Sequence, residues 1–288
     1  MTTSDTPFGV RLQAAMAEHG PLCAGIDPHR GLLESWGLTY DLAGLERFTM
    51  TCVEAFGGSV AAVKPQSAFF EVFGAKGVAL LERALTDLRE AGTLTVLDVK
   101  RGDIGTTVAA YGEAFLGEDA PAPADAITVS PYLGYGSLRP AIDLAHATGR
   151  GVIVLALTSN PEGASVQHAR GADGRSVAGA VAEAAAEDNA GARARGELGS
   201  VGLVVGATVG SAVADLGVDL PAMGGPILAP GLGAQGATAE DVRSVFAGAL
   251  PQVLASSSRD VLRAGPDVKA LRDRARTVAA EVAGITAT

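Results

Sequence analysis

Short apolar runs alternate with amphipathic stretches along the chain. Each run is rich in Val, Ile and Leu and is bounded by Gly, Pro, Asp or Ser, which is typical of buried strands. The eight runs lie at 22–27, 61–66, 94–100, 125–130, 152–157, 201–206, 226–230 and 252–257. Uninterrupted apolar runs of this length favour parallel strands whose outer faces are covered by helices. The pattern therefore predicts eight parallel strands.

Between the runs, apolar residues recur at helical spacing. In 76–91, Val78, Leu81 and Leu85 form a single stripe, which predicts one amphipathic helix. Comparable patterns predict helices at 6–18, ahead of the first strand, and at 41–56, 106–116, 137–148, 174–196, 207–216, 238–249 and 266–283. Pro266 indicates the start of the last helix, because proline is favoured in the first helical turn.

The order of these elements predicts an α/β protein, a (β/α)8 TIM barrel with an extra N-terminal helix. Such a barrel needs about 250 residues, and a doubly wound open sheet is the alternative. The chain has 288 residues, of which 48% are apolar and 19% charged, so it can form a large core. No Pro/Ser-rich linker divides the chain, and we expect residues 1–288 to form one domain.

Charge and cysteine usage exclude several classes of protein. A net charge of −10 lacks the basic surface that binding to a nucleic-acid polymer requires. Cys23 and Cys52 form neither a disulfide framework nor a metal-ligand cluster, which fits a reducing, cytoplasmic location. The N-terminal segment lacks the features of a signal peptide, so none is expected. The longest uncharged stretch, 220–239, contains three prolines and is not a membrane span.

The most informative polar residues follow the third run, in LDVKRGDIGTT at 97–107. Residues two apart on a strand share a face, so Asp98 and Lys100 should project together into the barrel mouth, where barrel enzymes carry their chemistry. Asp103 follows where the chain leaves the strand. A lysine between two carboxylates stays protonated and can donate its proton to a carbanion. The alternative is a salt-bridge cluster without chemistry, although burying such charges is costly.

Polar residues at the first and second runs are less specific. Lys64 belongs either to the same charged array or to a barrel rim, where a lysine extends its ammonium to solvent. Asp27 could bind a ligand or cap the following turn. His29 has no partner at ligand spacing and is predicted to be structural. Because the four histidines are scattered, no metal site is predicted.

A glycine-rich segment at 227–238 contains G-x-G-x-x-G at Gly231, Gly233 and Gly236. A dinucleotide-binding fold would place this motif after its first strand and an acidic residue about 20 positions later, and neither condition is met. Backbone N–H groups beside a helix N-terminus instead predict a phosphate site, which barrels often form after strands seven and eight. Arg259 would add a fixed positive charge. An ordinary turn beside a surface arginine is the alternative.

The motif D-x-K-R-x-D-I at 98–104 resembles that of the orotidine 5′-phosphate decarboxylase family. Other segments resemble the family in the same order: GIDPH around Asp27, VKPQSAFFE at Lys64, LTSNPEG around Ser159, APGLGAQG around Gln235 and SSSRDVL around Arg259. Together they extend from about residue 20 to 265, and their features look like those of the larger bacterial subgroup.

The resemblance implies a homodimeric lyase that converts orotidine 5′-monophosphate to uridine 5′-monophosphate (UMP) and CO₂, without metal or organic cofactor, in de novo pyrimidine synthesis. Lys100 would protonate C6 as CO₂ leaves, and Asp98 would lie against the substrate carboxylate. Asp103 and Ile104 would reach into the partner subunit's site, together with one of the two adjacent threonines, Thr107 or Thr106. Asp27 and Lys64 would contact the ribose. Ser159 would contact the pyrimidine edge. The phosphate would be contacted by Pro230, Gln235 and Arg259.

Two other functions remain open from the residues alone. One is another enzyme of the same barrel group, such as a metal-dependent sugar-phosphate decarboxylase or an aldol-type synthase. It would need a magnesium-binding acid at a further strand end, and none is evident. The other is a non-catalytic nucleotide-phosphate binding protein, which would use only the glycine-rich loop and Arg259 and would leave the charged array without a role.

Overall fold

Eight parallel strands close into a barrel in which each strand pairs with its neighbours in sequence and β8 pairs with β1. The computed structural model describes residues 6–231 and 237–287. The strands are β1 (Leu22–Ile26), β2 (Ala62–Pro65), β3 (Leu94–Arg101), β4 (Ala126–Val129), β5 (Gly151–Leu157), β6 (Val201–Val205), β7 (Ile227–Pro230) and β8 (Val253–Ser257). The predicted (β/α)8 barrel is confirmed, and the open sheet is wrong.

Helices surround the barrel and connect its strands. They are α1 (Phe8–His19), α2 (Arg30–Ser35), α3 (Leu42–Phe56), α4 (Ala68–Glu71), α5 (Gly74–Glu90), α6 (Gly105–Leu116), α7 (Arg139–Ala147), α8 (Ala164–Gln167), α9 (Val177–Asp188), α10 (Ala190–Ala194), α11 (Ala212–Asp215), α12 (Leu220–Met223), α13 (Ala239–Val245), α14 (Arg259–Leu262) and α15 (Val268–Thr286). Short 3-10 turns occupy Tyr135–Leu138, Pro161–Gly163 and Leu250–Gln252. None of the helices in the described ranges is long and apolar enough to cross a bilayer.

Three predicted helices differ in extent from those observed. The helix expected at 174–196 is divided at Asn189, whose side chain donates to the carbonyl of Val201 and accepts from its N–H. The helix expected at 207–216 is reduced to the single turn of α11. Pro266 precedes α15 instead of lying within it, and Asp267 caps the helix by accepting from the backbone N–H of Ala270.

The barrel interior is filled by apolar side chains and is closed at its amino-terminal end by α1. A buried cluster includes at least one residue from each strand: Cys23, Ala62, Leu94, Val96, Ala126, Ile153, Val204, Leu228 and Leu254. Phe8 and Leu12 of α1 belong to the same cluster and are fully buried. Arg11 holds the helix in place by donating to the carboxylate of Asp125 at the start of β4. The predicted N-terminal helix is thus the floor of the barrel.

A larger apolar layer lies between the strands and the helices. Phe48 and Phe56 of α3 are fully buried there, and Trp36 donates its indole N–H to the carbonyl of Leu262. Cys52 belongs to this layer and is a free thiol, and burial raises its pKa. His29 caps α2 by accepting from the N–H of Leu32, so its predicted structural role is confirmed.

One irregularity in the barrel affects the site directly. The register between β3 and β4 shifts: Leu97 lies opposite Ile127, whereas Arg101, four residues later, lies opposite Val129, only two residues later. The extra residues form a bulge that contains Lys100. Its φ is +45°, and among the residues described it is the only non-glycine residue with a positive φ. Bulges often re-aim a side chain at a functional site.

Candidate active site

The carboxyl ends of the strands surround a cavity of about 300 Å³. One side of the cavity is polar, with Asp27, Lys64 and Asp98 among its lining residues. Apolar side chains, including Leu155 and Leu228, also line the cavity. A cavity lined by both charged and apolar side chains suits a ligand that carries both a planar ring and charged groups.

The polar wall is built around the carboxylate of Asp98. Its Oδ2 accepts from Lys64 Nζ at 3.1 Å, and its Oδ1 accepts from Lys100 Nζ at 2.6 Å. Oδ1 also accepts from the hydroxyl of Thr128 at 2.7 Å. Lys64 Nζ lies 3.9 Å from Oδ1 of Asp27. The four charged side chains thus form a continuous array in which carboxylates alternate with ammonium groups.

Strand alternation brings these side chains together. Gly25 on β1 lies opposite Lys64 on β2, and an isolated bridge places Gln66 opposite Asp98 on β3. Because residues two apart share a face, Lys64 and Asp98 each follow an interior apolar residue by two positions and point the same way. The sequence prediction that Asp98, Lys100 and Lys64 meet at the barrel mouth is confirmed in its geometry.

Burial and charge act in opposite directions on this array. Burial alone would raise the pKa of Asp98, but the ammonium groups of Lys64 and Lys100 and the hydrogen bonds to the carboxylate hold that pKa below its usual value. Burial would lower the pKa of Lys64, but the carboxylates of Asp27 and Asp98 raise it above its usual value. Both groups are therefore charged at neutral pH.

The two lysines differ in their access to a ligand. The side chain of Lys64 is 9% exposed, whereas that of Lys100 is 46% exposed. Lys100 lies within the β3 bulge, and Asp98 accepts a hydrogen bond from its ammonium group. Lys100 is therefore the cation that faces the open part of the cavity.

The predicted shared-site residues lie beside the cavity, not in its lining. Asp103 turns its carboxylate to its own chain, where Oδ1 accepts from the N–H of Ile104 at 2.8 Å. Within the described part of the chain Asp103 makes no ion pair. Ile104, Thr106 and Thr107 are exposed at the start of α6. Within a single chain, the alternating array therefore ends at Lys100.

Ser159 also lies outside the central cavity. It is exposed just beyond β5 and lines a neighbouring hollow of about 200 Å³ together with His168 and Thr208. Thr158, the residue before it, lines both spaces and links the hollow to the central cavity. Ser159 therefore lies one residue away from the wall that it was expected to form.

The cavity lining also includes three residues of the predicted phosphate site. Pro230, Gly231 and Arg259 line it, and Gly231 has a φ of +108°, which a residue with a side chain would rarely adopt. Arg259 begins α14, is exposed, and has no ion-pair partner among the residues described. The remaining predicted loop residues, Gly233, Gln235 and Gly236, lie outside the described residues.

Several polar lining residues were not predicted from the sequence, among them Thr128 and Ser256. Thr128 on β4 and Ser256 on β8 both face the interior and are less than 10% exposed. A polar residue two positions after an interior apolar residue (Ala126 and Leu254) was the available signal. The apolar runs at 125–130 and 252–257 predict strands, but the runs by themselves do not single out the polar residues that point inward.

Comparison with known proteins decides the family. The model of the orotidine 5′-phosphate decarboxylase / HUMPS family matches residues 20–273. The chain belongs to this family. An orotidine 5′-phosphate decarboxylase from Salinispora tropica is 61% identical over 274 residues, which cover 95% of this chain and 96% of that protein. The enzyme of the same name from Streptomyces coelicolor is 58% identical over 277 residues, which cover 96% and 97%.

A solved structure supports the same relationship in three dimensions. A crystal structure from Streptomyces avermitilis, assigned to orotidine 5′-phosphate decarboxylase, superposes with a TM-score of 0.94 at 56% identity and covers 99% of this chain and 98% of that one. The predicted family resemblance is therefore confirmed. Among the residues described, no three or more His, Cys, Asp or Glu side chains are grouped to hold a metal ion.

Proposed function

We propose that this member of the orotidine 5′-phosphate decarboxylase family converts orotidine 5′-monophosphate to UMP and CO₂, as a carboxy-lyase of pyrimidine nucleotide synthesis. The observation that carries the proposal is the Lys64–Asp98–Lys100 array at the barrel mouth. Its ordered charges suit a reaction that generates a carbanion beside an ammonium group. The high identity to relatives that bear the decarboxylase name supports the same activity.

Lys100 is the proton donor in this proposal. When the bond between C6 and the carboxylate breaks, its electron pair remains on C6 and CO₂ leaves. The ammonium of Lys100 stabilises that negative charge as it develops and then transfers a proton to C6. Asp98 contributes in two ways, because it holds Lys100 at 2.6 Å and places a negative charge against the substrate carboxylate.

Binding is divided among the other sides of the cavity. Asp27 and Lys64 hold the ribose, since Oδ1 of Asp27 is buried without a hydrogen-bond donor and can accept from a sugar hydroxyl. Pro230, the glycine loop that begins at Gly231, Gln235 and Arg259 enclose the phosphate. Ser159 bonds the pyrimidine edge from the adjoining hollow. Binding of the distant phosphate supplies energy that holds the ring against the charged array.

A homodimer completes the site. Asp103, with Ile104 and Thr107 or Thr106, enters the partner subunit's site and extends the alternating array by one carboxylate. The surface beside Asp103 supports this arrangement, because Ile104 is 62%, Tyr132 76% and Leu133 51% exposed. Apolar side chains exposed together around a polar catalytic element are typical of an interface.

The reaction needs no metal or organic cofactor in this proposal, and the enzyme acts in the cytoplasm, where its two free cysteines stay reduced. Lys64 lies beside both Asp27 and Asp98 and offsets part of their negative charge, which lowers the attraction of that pair for a divalent cation. A chelator should therefore leave turnover unchanged. Loss of turnover with the chelator, restored by magnesium, would instead support a metal-dependent enzyme of the same barrel group.

The test is an absorbance assay of orotidine 5′-monophosphate consumption by the wild type, Lys100→Ala and Lys76→Ala. Lys76 is an exposed lysine on α5 and serves as the matched control. We expect the wild type and Lys76→Ala to release CO₂ at equal rates and Lys100→Ala to release none. Near-normal turnover by Lys100→Ala would refute the assigned role. Saturable UMP binding without turnover by the wild type would support a binding protein.

A further inference from the structure

Thr128 connects Asp98 and Lys100, the two residues of the charged array whose relative position matters most for the proposed reaction. It lies on β4, faces the barrel interior and is 1% exposed. Its hydroxyl accepts from the backbone N–H of Lys100 at 3.0 Å and donates to Oδ1 of Asp98 at 2.7 Å. The same carboxylate oxygen accepts from Lys100 Nζ at 2.6 Å. One side chain thus contacts both the backbone of the lysine and the carboxylate that holds its ammonium group.

The direction of these hydrogen bonds is fixed by the groups involved. A threonine hydroxyl has one proton to donate, the backbone N–H of Lys100 can only donate, and an ionised carboxylate can only accept. The hydroxyl proton must therefore point at Asp98, with an oxygen lone pair towards Lys100. No rotation of the hydroxyl satisfies both neighbours in another way, so the arrangement has a single orientation.

The bulge in β3 explains why a side chain is needed at this position. Between Leu97 and Arg101 the regular pairing with β4 is interrupted, and the N–H of Lys100 donates to a side chain of β4, the Thr128 hydroxyl. Lys100 also adopts a φ of +45°, which is unfavourable for any residue with a Cβ. The Thr128 hydroxyl thus stabilises the strained backbone from the neighbouring strand.

We propose that Thr128 is a positioning residue for decarboxylation, which holds the ammonium of Lys100 and the carboxylate of Asp98 in register across the β3 bulge. This inference rests on the proposed function. It assigns no substrate contact to Thr128, which acts through the other two residues. Without the hydroxyl, the bulge loses its only side-chain acceptor for Lys100 N–H among the residues described, and the ammonium moves relative to Asp98.

A displacement of this kind affects the chemical step more than binding. A shift of about 1 Å in a reacting group can lower a rate by about 100-fold. The groups assigned to the ribose and phosphate lie on other strands, at Asp27 on the β1 end, Lys64 on β2 and Arg259 after β8. Loss of the hydroxyl should therefore lower kcat and leave nucleotide binding nearly unchanged.

The test compares Thr128→Val, Thr128→Ser and Thr49→Val. Valine has the shape of threonine but cannot hydrogen-bond, and serine keeps the hydroxyl. Thr49 is a buried threonine on α3 whose hydroxyl has no hydrogen-bond partner within residues 6–231 and 237–287, so its replacement controls for loss of a buried hydroxyl as such. We expect Thr128→Val to lower kcat by about 10- to 100-fold with KM and the UMP dissociation constant within about threefold of wild type. Thr128→Ser and Thr49→Val should retain most of kcat.

Wild-type kcat in folded Thr128→Val would overturn the inference, as would a loss in Thr128→Ser as large as that in Thr128→Val. An equal loss in Thr49→Val would also overturn it. If Thr128→Val does not fold, Thr128→Cys replaces it, and its weakly hydrogen-bonding thiol should give a kcat between those of the serine variant and Lys100→Ala. Absence of turnover in the wild type would instead refute the proposed function, so the two failures are distinguishable.

Discussion

At the scale of single residues, the two lysines at the barrel mouth are suited to different tasks by their surroundings. Lys64 lies between Asp27 and Asp98 and is almost fully buried, so it is held in one place as a permanent charge. Lys100 has one carboxylate partner among the residues described, Asp98, and is about half exposed, so its ammonium can reach a ligand. The two lysines can therefore have different roles in the proposed reaction, Lys64 as a fixed charge and Lys100 as the proton donor.

The same contacts predict how the pKa of Asp98 responds to mutation. Lys64→Met keeps much of the side-chain length and removes the ammonium that lowers this pKa, whereas burial, which raises it, remains. The pKa of Asp98 should therefore rise in Lys64→Met. A ¹³C NMR titration of the Asp98 carboxyl resonance measures the change, and Lys76→Met should leave it unchanged. An unchanged or lower pKa in Lys64→Met would contradict the proposed coupling.

Much of the site could be predicted because alternate residues of a strand share a face, so a residue's position in the sequence indicates the side on which it lies. Asp98 and Lys64 each follow a buried apolar run, and their position fixes the face on which they lie. The role of Thr128 could not be predicted, because it depends on a bulge in a different strand. The placement of Ser159 and Asp103 depends on loop conformation, for which the sequence carries no periodic signal.

At the scale of elements, α1 has a structural role that its modest amphipathic pattern does not reveal. Phe8 fits against the start of β5, where a Cβ on Gly151 would lie 2.3 Å from its ring. Arg11 donates to Asp125 and, at 3.0 Å, to the carbonyl of Gly149. The helix therefore covers the amino-terminal end of the barrel by a close fit as well as by polar contacts.

We predict that Phe8→Ala lowers the free energy of unfolding by about 3–5 kcal/mol, because it leaves a cavity in the closed end of the barrel. Urea unfolding followed by circular dichroism measures the loss. Glu18→Ala, on the exposed side of the same helix, should change stability by less than about 0.5 kcal/mol. Equal effects of the two substitutions would show that α1 does not stabilise the barrel.

The number and order of the strands and of the main helices between them were predictable, whereas several short helices, such as α2 and α4, and several boundaries were not. Eight apolar runs at regular intervals leave few topologies other than a barrel. The division of the helix at Asn189 depends on hydrogen bonds to β6 and to Met223, which are distant in sequence. Helical periodicity cannot detect such an interruption, since the apolar residues on both sides keep the same spacing.

At the scale of the whole molecule, the net charge of −10 is distributed unevenly. Lys64, Lys100 and Arg259 gather at the carboxyl ends of the strands, while acidic residues such as Glu183 and Glu187 lie on outer helices. Overall charge therefore argues against binding to a polymeric nucleic acid and says little about a single nucleotide. Local charge at the barrel mouth decides which anion the cavity accepts.

The proposed dimer leads to a complementation test. Asp103→Ala and Lys100→Ala homodimers should each be nearly inactive, because every site lacks one charged group. In a mixed dimer, one of the two sites has its own Lys100 and an Asp103 from the other subunit. Random reassortment of the two variants should therefore restore about a quarter of wild-type activity, as expected for twofold symmetry. Activity after mixing that stays at the level of the separate variants would contradict a shared site.

The floor formed by α1 has a further consequence for the proposed reaction. Phe8, Leu12 and the ring of interior side chains above them fill the barrel below Asp98. In the proposed reaction, the CO₂ released at Asp98 and Lys100 cannot pass through this packed layer. It must leave through the mouth of the barrel, at the carboxyl ends of the strands. The proposed phosphate site lies at that same opening, beside the exposed Arg259. Both products, CO₂ and UMP, must therefore leave through one opening, and that opening governs the order of their release. CO₂ forms deeper in the barrel than the bound UMP.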